Sequence, residues 1–231
     1  GGKAQVSIRN GSLTLPVGLD EPNISLEEAS AHIAWQYKGD EVAVQFSQGR
    51  VSNADLAGEF SGNWKTGEAN ARLPGVLDLN ATLSRAKAAK VHRYLPNTLP
   101  AGVRAYVREA VQAGDASHVT MRLRGNLSDM PFDNPKLGEF RIVAQVAQGK
   151  YAYVPPEPSK GKVAPAAAWP ALTEVNGELV FDRSALQFKG STQLAGAPQV
   201  TWQKVQASIP KLDQPVVSVT GEARGPVAQV L

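Results

Sequence analysis

VNGELVFDRSALQFKG, residues 175–190, predicts two short β-strands folded on each other. Nonpolar residues occupy every second position from Val175 to Phe181, and this period of two places them on one face of a strand. The residues at 182–184 are typical of a turn, and the alternation resumes at Leu186. Each arm therefore has one polar and one apolar face, and the apolar face needs something nonpolar to cover it.

The same alternation recurs along most of the chain, with turn signals at short and fairly even intervals. Asn10-Gly11 predicts a turn that makes a small hairpin, and residues 48–50 separate two further arms. Glycines at alternate positions of the 56–64 arm favour a bend or the close approach of another group. The sequence therefore predicts a mostly β protein of loosely similar arms without a fixed period. The further arms are expected at residues 5–15, 33–37, 42–46, 56–64, 77–83, 119–125, 140–146, 151–153, 200–209 and 217–223.

Residues 84–114 carry helical periodicity instead, and we expect two helices there. Ser84 would cap the first helix, which reaches Leu95, and Pro100 would begin the second helix, which Gly114 closes. We expect the apolar stripe of the second helix to pack on the sheet, where it plugs or narrows an apolar trough or joins an ordinary core. That stripe consists of Val103, Tyr106, Val107, Ala110 and Val111.

The chain is predicted to be one continuous unit over residues 1–231, with β arms at 1–83, the helical pair at 84–114 and β arms at 115–231. Residues 154–170 are rich in Pro and Ala and predict an exposed, extended loop. This loop is not a domain boundary, because arms of the same character lie on both sides of it.

Composition excludes several classes of function. A chain of 231 residues, 42% of them hydrophobic, can bury a core. The 24 Lys and Arg residues against 21 Asp and Glu give a net charge of only +3, which does not favour a nucleic-acid partner. With no cysteine, disulfides and Cys-based zinc sites are excluded, which suits a cytosolic or a large periplasmic protein. No stretch approaches the roughly 18 apolar residues of a membrane span, so any anchor would lie outside this chain.

The residue types that catalysis needs are present without catalytic spacing. His32, His92 and His118 lie far apart in the sequence and match no metal-ligand pattern. Glu27 and Glu28 are adjacent, so their side chains face different ways. No glycine-rich phosphate loop occurs. We therefore expect no catalytic residue, no metal, no cofactor and no enzymatic activity.

One basic cluster has two interpretations. It is either a solvated helix face or a surface that meets anionic lipid headgroups, at about 1 kcal/mol per charge near a membrane. Its residues are Arg85, Lys87, Lys90, His92 and Arg93.

Three longer strings resemble the YhdP family, large AsmA-like proteins of Gram-negative bacteria. They are VHRYLPNTLPAGVRAYVREAVQAGDASHVTMRLRGNLSDMPF at 91–132, GEFRIVAQVAQGKYAYVP at 138–155 and WPALTEVNGELVFDRSALQF at 169–188. The resemblance covers roughly residues 75–190, and the flanks match the family's style of arm more loosely. It implies a curved antiparallel repeating β-groove, an open taco-like sheet, with the helical pair inserted near its middle.

The resemblance also implies a function. The chain would be an interior segment of a bridge-like periplasmic protein, anchored in the inner membrane by a helix outside this chain, that carries phospholipids between the inner and outer membranes. Its partners would be phospholipid acyl chains, the remaining segments of the same protein and the membranes at its ends, with no nucleic acid.

The alternation by itself does not distinguish an open trough from a sandwich whose second sheet covers each apolar face. A trough would be useful because exposing an acyl chain to water costs on the order of 10 kcal/mol, at ~0.8 kcal/mol per CH₂. The alternative is a structural or adhesive β-sandwich that binds through its loops and has no lipid trough. The predicted lipid-binding residues are Val42, Val44, Phe46, Leu77, Leu79, Val119, Met121, Leu123, Phe140, Ile142, Val146, Leu179, Phe181, Leu186 and Phe188.

Overall fold

The computed structural model describes residues 1–14, 19, 21–68, 73–97, 99–154, 170–214 and 216–226. They form one antiparallel sheet of eleven strands, and the order of strands in the sheet is their order in the chain. The strands are β1 (Gly2–Thr14), β2 (Asn23–Lys38), β3 (Glu41–Ser52), β4 (Leu56–Lys65), β5 (Val76–Lys87), β6 (Val111–Asn126), β7 (Gly138–Tyr151), β8 (Leu172–Asp182), β9 (Ala185–Leu194), β10 (Ala197–Ile209) and β11 (Ser218–Arg224).

The sheet is curved and open, with β1 and β11 as its two edges, and it does not close into a barrel. The prediction of an open, curved antiparallel groove is therefore confirmed. The sandwich alternative is wrong for the part of the chain that the structure describes, because all of its strands belong to one sheet.

β-Bulges bend the strands at regular points. Gln48, His118, Gln148 and Lys204 all adopt left-handed backbone conformations, with φ between 49° and 52°. A shift of pairing register lies at or beside each of them. A bulge adds one residue to one strand, which bends that strand and increases its twist. Repeated bulges therefore explain why a sheet this wide curls.

Two predicted turns lie inside continuous strands, Asn10 without a change of pairing register and Gln48 at a bulge. Asn10, with φ of 48°, lies within β1, which pairs with β2 on both sides of it. Gln48, with φ of 50°, lies within β3 in the same way. A residue that tolerates positive φ followed by glycine suits a bulge as well as a turn, so local sequence could not separate the two.

The helical segment occupies the connection between β5 and β6. It contains a 3₁₀ helix (Ala88–Tyr94) and α1 (Ala101–Ala110), and a third short helix, also 3₁₀, spans Leu127–Asp129. The predicted range of 84–114 is too long at both ends, because β5 continues to Lys87 and β6 begins at Val111. The pairing of β5 with β6 reaches Lys87 and Asp115, and this tertiary pairing overrides the local helical pattern.

The strand ends form two opposite lips of the sheet. We call the lip where β5 ends and β6 begins the first lip, and the lip where β6 ends and β7 begins the second lip.

Most of the predicted loop 154–170 lies outside the described residues. Few side chains are fully covered, as expected for a single layer, and the buried hydrophobic residues among those described are Leu26, Ala110, Val119, Leu123, Phe132, Ala144, Ala152, Val200 and Val205.

Candidate functional site

Apolar side chains form continuous rows across one face of the sheet. Residues that pair directly in antiparallel strands point to the same face, so the pairing register defines each row. One row runs from β4 to β10 through Phe60, Ala81, Met121, Ile142, Phe181, Leu186 and Ile209. A second row runs from β1 to β7 through Ala4, Ile33, Phe46, Gly62, Leu79, Leu123 and Phe140. A third continues from β7 to β11 through Ala144, Leu179, Phe188, Ala207 and Val219.

The register places all fifteen predicted lipid-binding residues on this one face, which we call the apolar face. In β3, for example, Val42, Val44 and Phe46 are half-buried while their neighbours Glu41 and Gln45 are exposed. No described strand or helix forms a layer over this face. The partial burial therefore comes from neighbouring side chains of the same sheet.

Aromatic rings on the apolar face pack over glycines. The rings of Phe46 and Phe60 are tilted at 54° with their centroids 5.9 Å apart. A Cβ on Gly62 would lie 2.9 Å from the Phe46 ring, and a Cβ on Gly49 would lie 2.6 Å from the Phe60 ring. The close approach predicted for the glycines of the 56–64 arm is thus found at Gly62.

The opposite face is polar and carries ion pairs between neighbouring strands. Arg122 donates a hydrogen bond to Asp78, and its Nε lies 3.7 Å from Glu139 Oε2. The hydrogen bond from Arg122 lowers the pKa of Asp78 below its ordinary value of 3.8, and it raises the pKa of Arg122. Arg141 Nη1 lies 2.6 Å from Asp182 Oδ2. These pairs suit a surface that faces water.

Two hollows lie along the polar face. One of about 620 Å³ is lined by Gln5, His32, Arg50, Glu59 and Asn80 among others. A smaller one of about 180 Å³ lies beside Gln187, Lys189, Gln206, Ser208 and Thr220.

The connector between β6 and β7 closes the apolar face at the second lip. Its Phe132 is fully buried and lies over Gly125 and Gly138, which pair with each other across β6 and β7. A Cβ would lie 2.6 Å from the Phe132 ring at Gly125 and 2.5 Å from it at Gly138. Sequence reasoning missed Phe132. The sequence feature that could have pointed to it is the presence of Gly125 and Gly138 on either side of the connector.

A polar cluster fixes the 3₁₀ helix to the first lip. Arg93 Nη1 lies 2.5 Å from Oδ2 of buried Asp55, and Arg93 Nε lies 2.8 Å from Glu21 Oε2. Tyr94 donates to the same Asp55 oxygen at 3.1 Å and accepts from the Asn53 amide at 3.0 Å. Burial raises the pKa of Tyr94. Sequence reasoning missed this cluster, because its members come from three separate connections.

The amphipathic helix α1 is fixed at its C-terminal end. The Ala152 amide donates to the Ala110 carbonyl at 2.8 Å, and the Tyr106 and Tyr151 hydroxyls are 2.7 Å apart. Burial raises the pKa of Tyr151 far above its ordinary value. Ala110 is buried, but Val103 and Tyr106 are 45% and 39% exposed. The prediction that the whole stripe packs on the sheet is therefore wrong for Val103, whereas Tyr106 contacts β7 through its hydroxyl, and Val111 belongs to β6.

The described residues contain no group of His, Asp and Glu side chains that could hold a metal ion. None of the helices in the described ranges is long and apolar enough to cross a membrane.

The family model described as YhdP protein matches residues 1–231, the whole length of the chain. No curated protein and no solved structure matches.

Proposed function

The chain belongs to the YhdP family, and from this membership and its uncovered apolar face we propose that it is a segment of a bridge-like protein that carries phospholipids. In this proposal the acyl chains lie on the apolar face and the polar headgroups remain at the open side. The parent protein would be anchored in the inner membrane and cross the periplasm, with the remaining segments and the two membranes as its partners.

The observation that supports the proposal is that overlapping apolar rows, each five to seven strands long, together cover one face of all eleven strands. The rows run perpendicular to the strands, and adjacent strands are about 4.8 Å apart, so the face extends for roughly 48 Å. A lipid moving along a row would exchange one nonpolar neighbour for another at each strand. The trough would remove most of the cost of exposing an acyl chain to water, which is on the order of 10 kcal/mol.

Such carriage requires no acid, base or metal, because no covalent bond forms or breaks. It requires a face that protein does not cover. The ion pairs of Arg122 and Arg141 on the opposite face keep that side solvated, which is consistent with lipid binding on one side only.

Native mass spectrometry of the gently purified chain tests the proposal. We expect phospholipid masses on the wild-type chain and their loss in Ile142→Asn/Phe181→Asn, which places two amides on the apolar face. The matched control is Val143→Asn/Val180→Asn, because Val143 and Val180 pair in the same two strands on the opposite face. A chain without bound lipid, or equal loss in both variants, would count against the proposal.

A further inference from the structure

We propose that the exposed end of the apolar stripe of α1, Val103 and Tyr106, binds the acyl chains of the carried phospholipid, so that α1 forms a side wall of the trough at the first lip. This inference rests on the proposed function and adds a helix to the surface that the lipid contacts.

The apolar face ends at the first lip with one further row of side chains. A Cβ on Gly149 would lie 3.5 Å from the side chain of Val146, a residue of the apolar face. Gly149 therefore faces the same side, and so does Tyr151, two residues further along β7. The pairing register continues from Tyr151 in both directions across the sheet. The row consists of Val111, Tyr151, Leu172, Leu194 and Ala197.

Tyr106 connects α1 to this row. Its hydroxyl donates to the Tyr153 carbonyl at 3.1 Å and lies 2.7 Å from the Tyr151 hydroxyl. Because a tyrosine hydroxyl has a single proton, Tyr151 is the donor in the second contact. The Tyr106 side chain therefore extends from α1 to the apolar face, and α1 lies on the apolar side of the first lip.

Only part of the apolar stripe of α1 is covered. Residues 103, 106, 107 and 110 fall at i, i+3, i+4 and i+7, so they share one face of the helix. Ala110 is buried and Val107 is half-buried, whereas Val103 and Tyr106 are exposed. The stripe is thus buried where α1 meets the sheet and becomes exposed over about 10 Å of helix.

The N-terminal half of α1 is held by the loop before it. Arg104 Nη1 donates to the carbonyls of Asn97 and Leu99, each at 2.6 Å. The hydrogen bonds that join α1 to the end of β7 are those of Tyr106 and Ala110. The helix is therefore fixed at both ends while Val103 remains accessible from the trough.

Continuity with the apolar face favours an acyl chain as the occupant. The stripe and the first-lip row meet at the contact between Tyr106 and Tyr151, so a chain that lies on this row can extend onto the stripe. The stripe contains no charged side chain, which favours hydrocarbon over a headgroup. Two side chains offer at most roughly 300 Å², whereas a stable protein interface buries about 800 Å² on each partner.

The chain contains no cysteine, so a single bimane fluorophore can be attached at a chosen position. We would label Val103→Cys on the stripe, Ala105→Cys on the opposite face of α1 and Met121→Cys on the apolar face. Each labelled chain is loaded with phosphatidylcholine that carries a nitroxide on its acyl chain, and gel filtration then removes the vesicles. We expect a loss of fluorescence at 103 and 121 and little change at 105.

The three positions separate the inference from the proposed function. Equal quenching at 103 and 105, or quenching at 121 alone, would overturn the inference. Quenching at 103 that gel filtration removes would identify a membrane surface as the occupant and would also overturn it. Absence of quenching at 121 would instead overturn the proposed function.

Iodide in the surrounding water measures whether protein covers the stripe. We expect iodide to quench the probes at 103 and 105 alike in the lipid-free chain, and bound lipid to protect only the probe at 103. Protection of 103 in the absence of lipid would identify a protein segment or a second copy as the occupant and would overturn the inference.

Val103→Asn should weaken lipid binding about fivefold, measured as the lipid concentration that half-quenches the probe at 121, because an amide replaces a nonpolar contact. Ala105→Asn is the matched control and should leave that concentration unchanged. Both positions are exposed, so both variants should keep the wild-type midpoint of urea unfolding. Equal lipid affinity in the two variants would overturn the inference.

Discussion

Phe132 occupies the space that Gly125 leaves empty: a Cβ on Gly125 would lie 2.6 Å from the Phe132 ring. The ring is fully buried, whereas Phe140 on the open apolar face is only half-buried. The chain therefore contains both a covered and an uncovered phenylalanine environment.

Replacing these two kinds of phenylalanine should have different effects. Phe132→Ala removes a fully buried ring, and we expect it to lower the free energy of unfolding by about 3–5 kcal/mol. Phe140→Ala, on the open face of β7, should cost only about 1–2 kcal/mol, because water already reaches that ring. Urea unfolding measures both. Equal losses would mean that something covers Phe140.

Arg93 and Asp55 should be strongly coupled, because Asp55 is buried and its carboxylate depends on that partner. Arg93→Leu leaves the carboxylate buried without its cation, and we expect a loss of about 3 kcal/mol in unfolding free energy. Arg93→Leu/Asp55→Asn should recover part of that loss. Arg50→Leu is the control, since the Arg50–Glu59 pair is exposed and should contribute less than about 1 kcal/mol. A double-mutant cycle without coupling energy would contradict the assigned geometry.

The pH dependence of stability should report the Asp78–Arg122 contact. The pKa of Asp78 is lower in the folded chain than its ordinary value of 3.8, so the unfolded chain binds this proton first as the pH falls. The stabilisation is therefore complete above about pH 3.8 and is lost as the pH falls through the lower folded value. Asp78→Asn and Arg122→Gln should each abolish this part of the acid sensitivity in urea unfolding between pH 2 and pH 6, roughly the span of carboxyl titration. An unchanged acid profile in both variants would contradict the contact.

Gln48 tests the role of the bulges. Its φ of 50° is costly for a residue with a side chain, so Gln48→Gly should keep or raise stability by up to about 1 kcal/mol, and β-branched Gln48→Val should lower it by roughly 1–2 kcal/mol. Gln45, in the regular part of the same strand, is the matched control. At Gln45 we expect the valine variant to be more stable than the glycine variant. Glycine weakens a strand interior by about 0.5–1 kcal/mol, whereas valine has a high strand propensity. The same order of stabilities at both positions would exclude a bulge at Gln48.

The sequence predicted what depends on local alternation. The period of two from Val175 to Phe181 identified a strand and its apolar side. That Phe46, Leu79 and Ile142 share one face of one sheet follows from the pairing register, which alternation within each strand does not give. Alternation could not show whether a second layer covers that face, because a sandwich and a trough have the same period. The open trough was predicted instead of the sandwich because the longer strings resemble the YhdP family.

What the sequence did not predict depends on residues far apart in the chain. Ser84 lies in β5 because strands pair on both sides of it, although its local pattern is helical. Asp55 and Arg93 meet only after the chain between them folds. The exposure of Val103 likewise follows from how α1 is held at its C-terminal end, which no spacing of residues encodes.

The central claim is that the apolar face holds acyl chains, and photo-cross-linking within β9 tests it most directly. A photoreactive amino acid replaces either Phe188 or its neighbour Gln187 in β9. The side chain of Phe188 lies on the apolar face, and the side chain of Gln187 lies on the opposite face. Phe181 on β8 is a second position on the apolar face. We predict phospholipid adducts at 181 and 188 and none at 187, measured by mass spectrometry after irradiation in Gram-negative cells. Equal labelling at all three positions, or no adduct at 181 and 188, would contradict the claim.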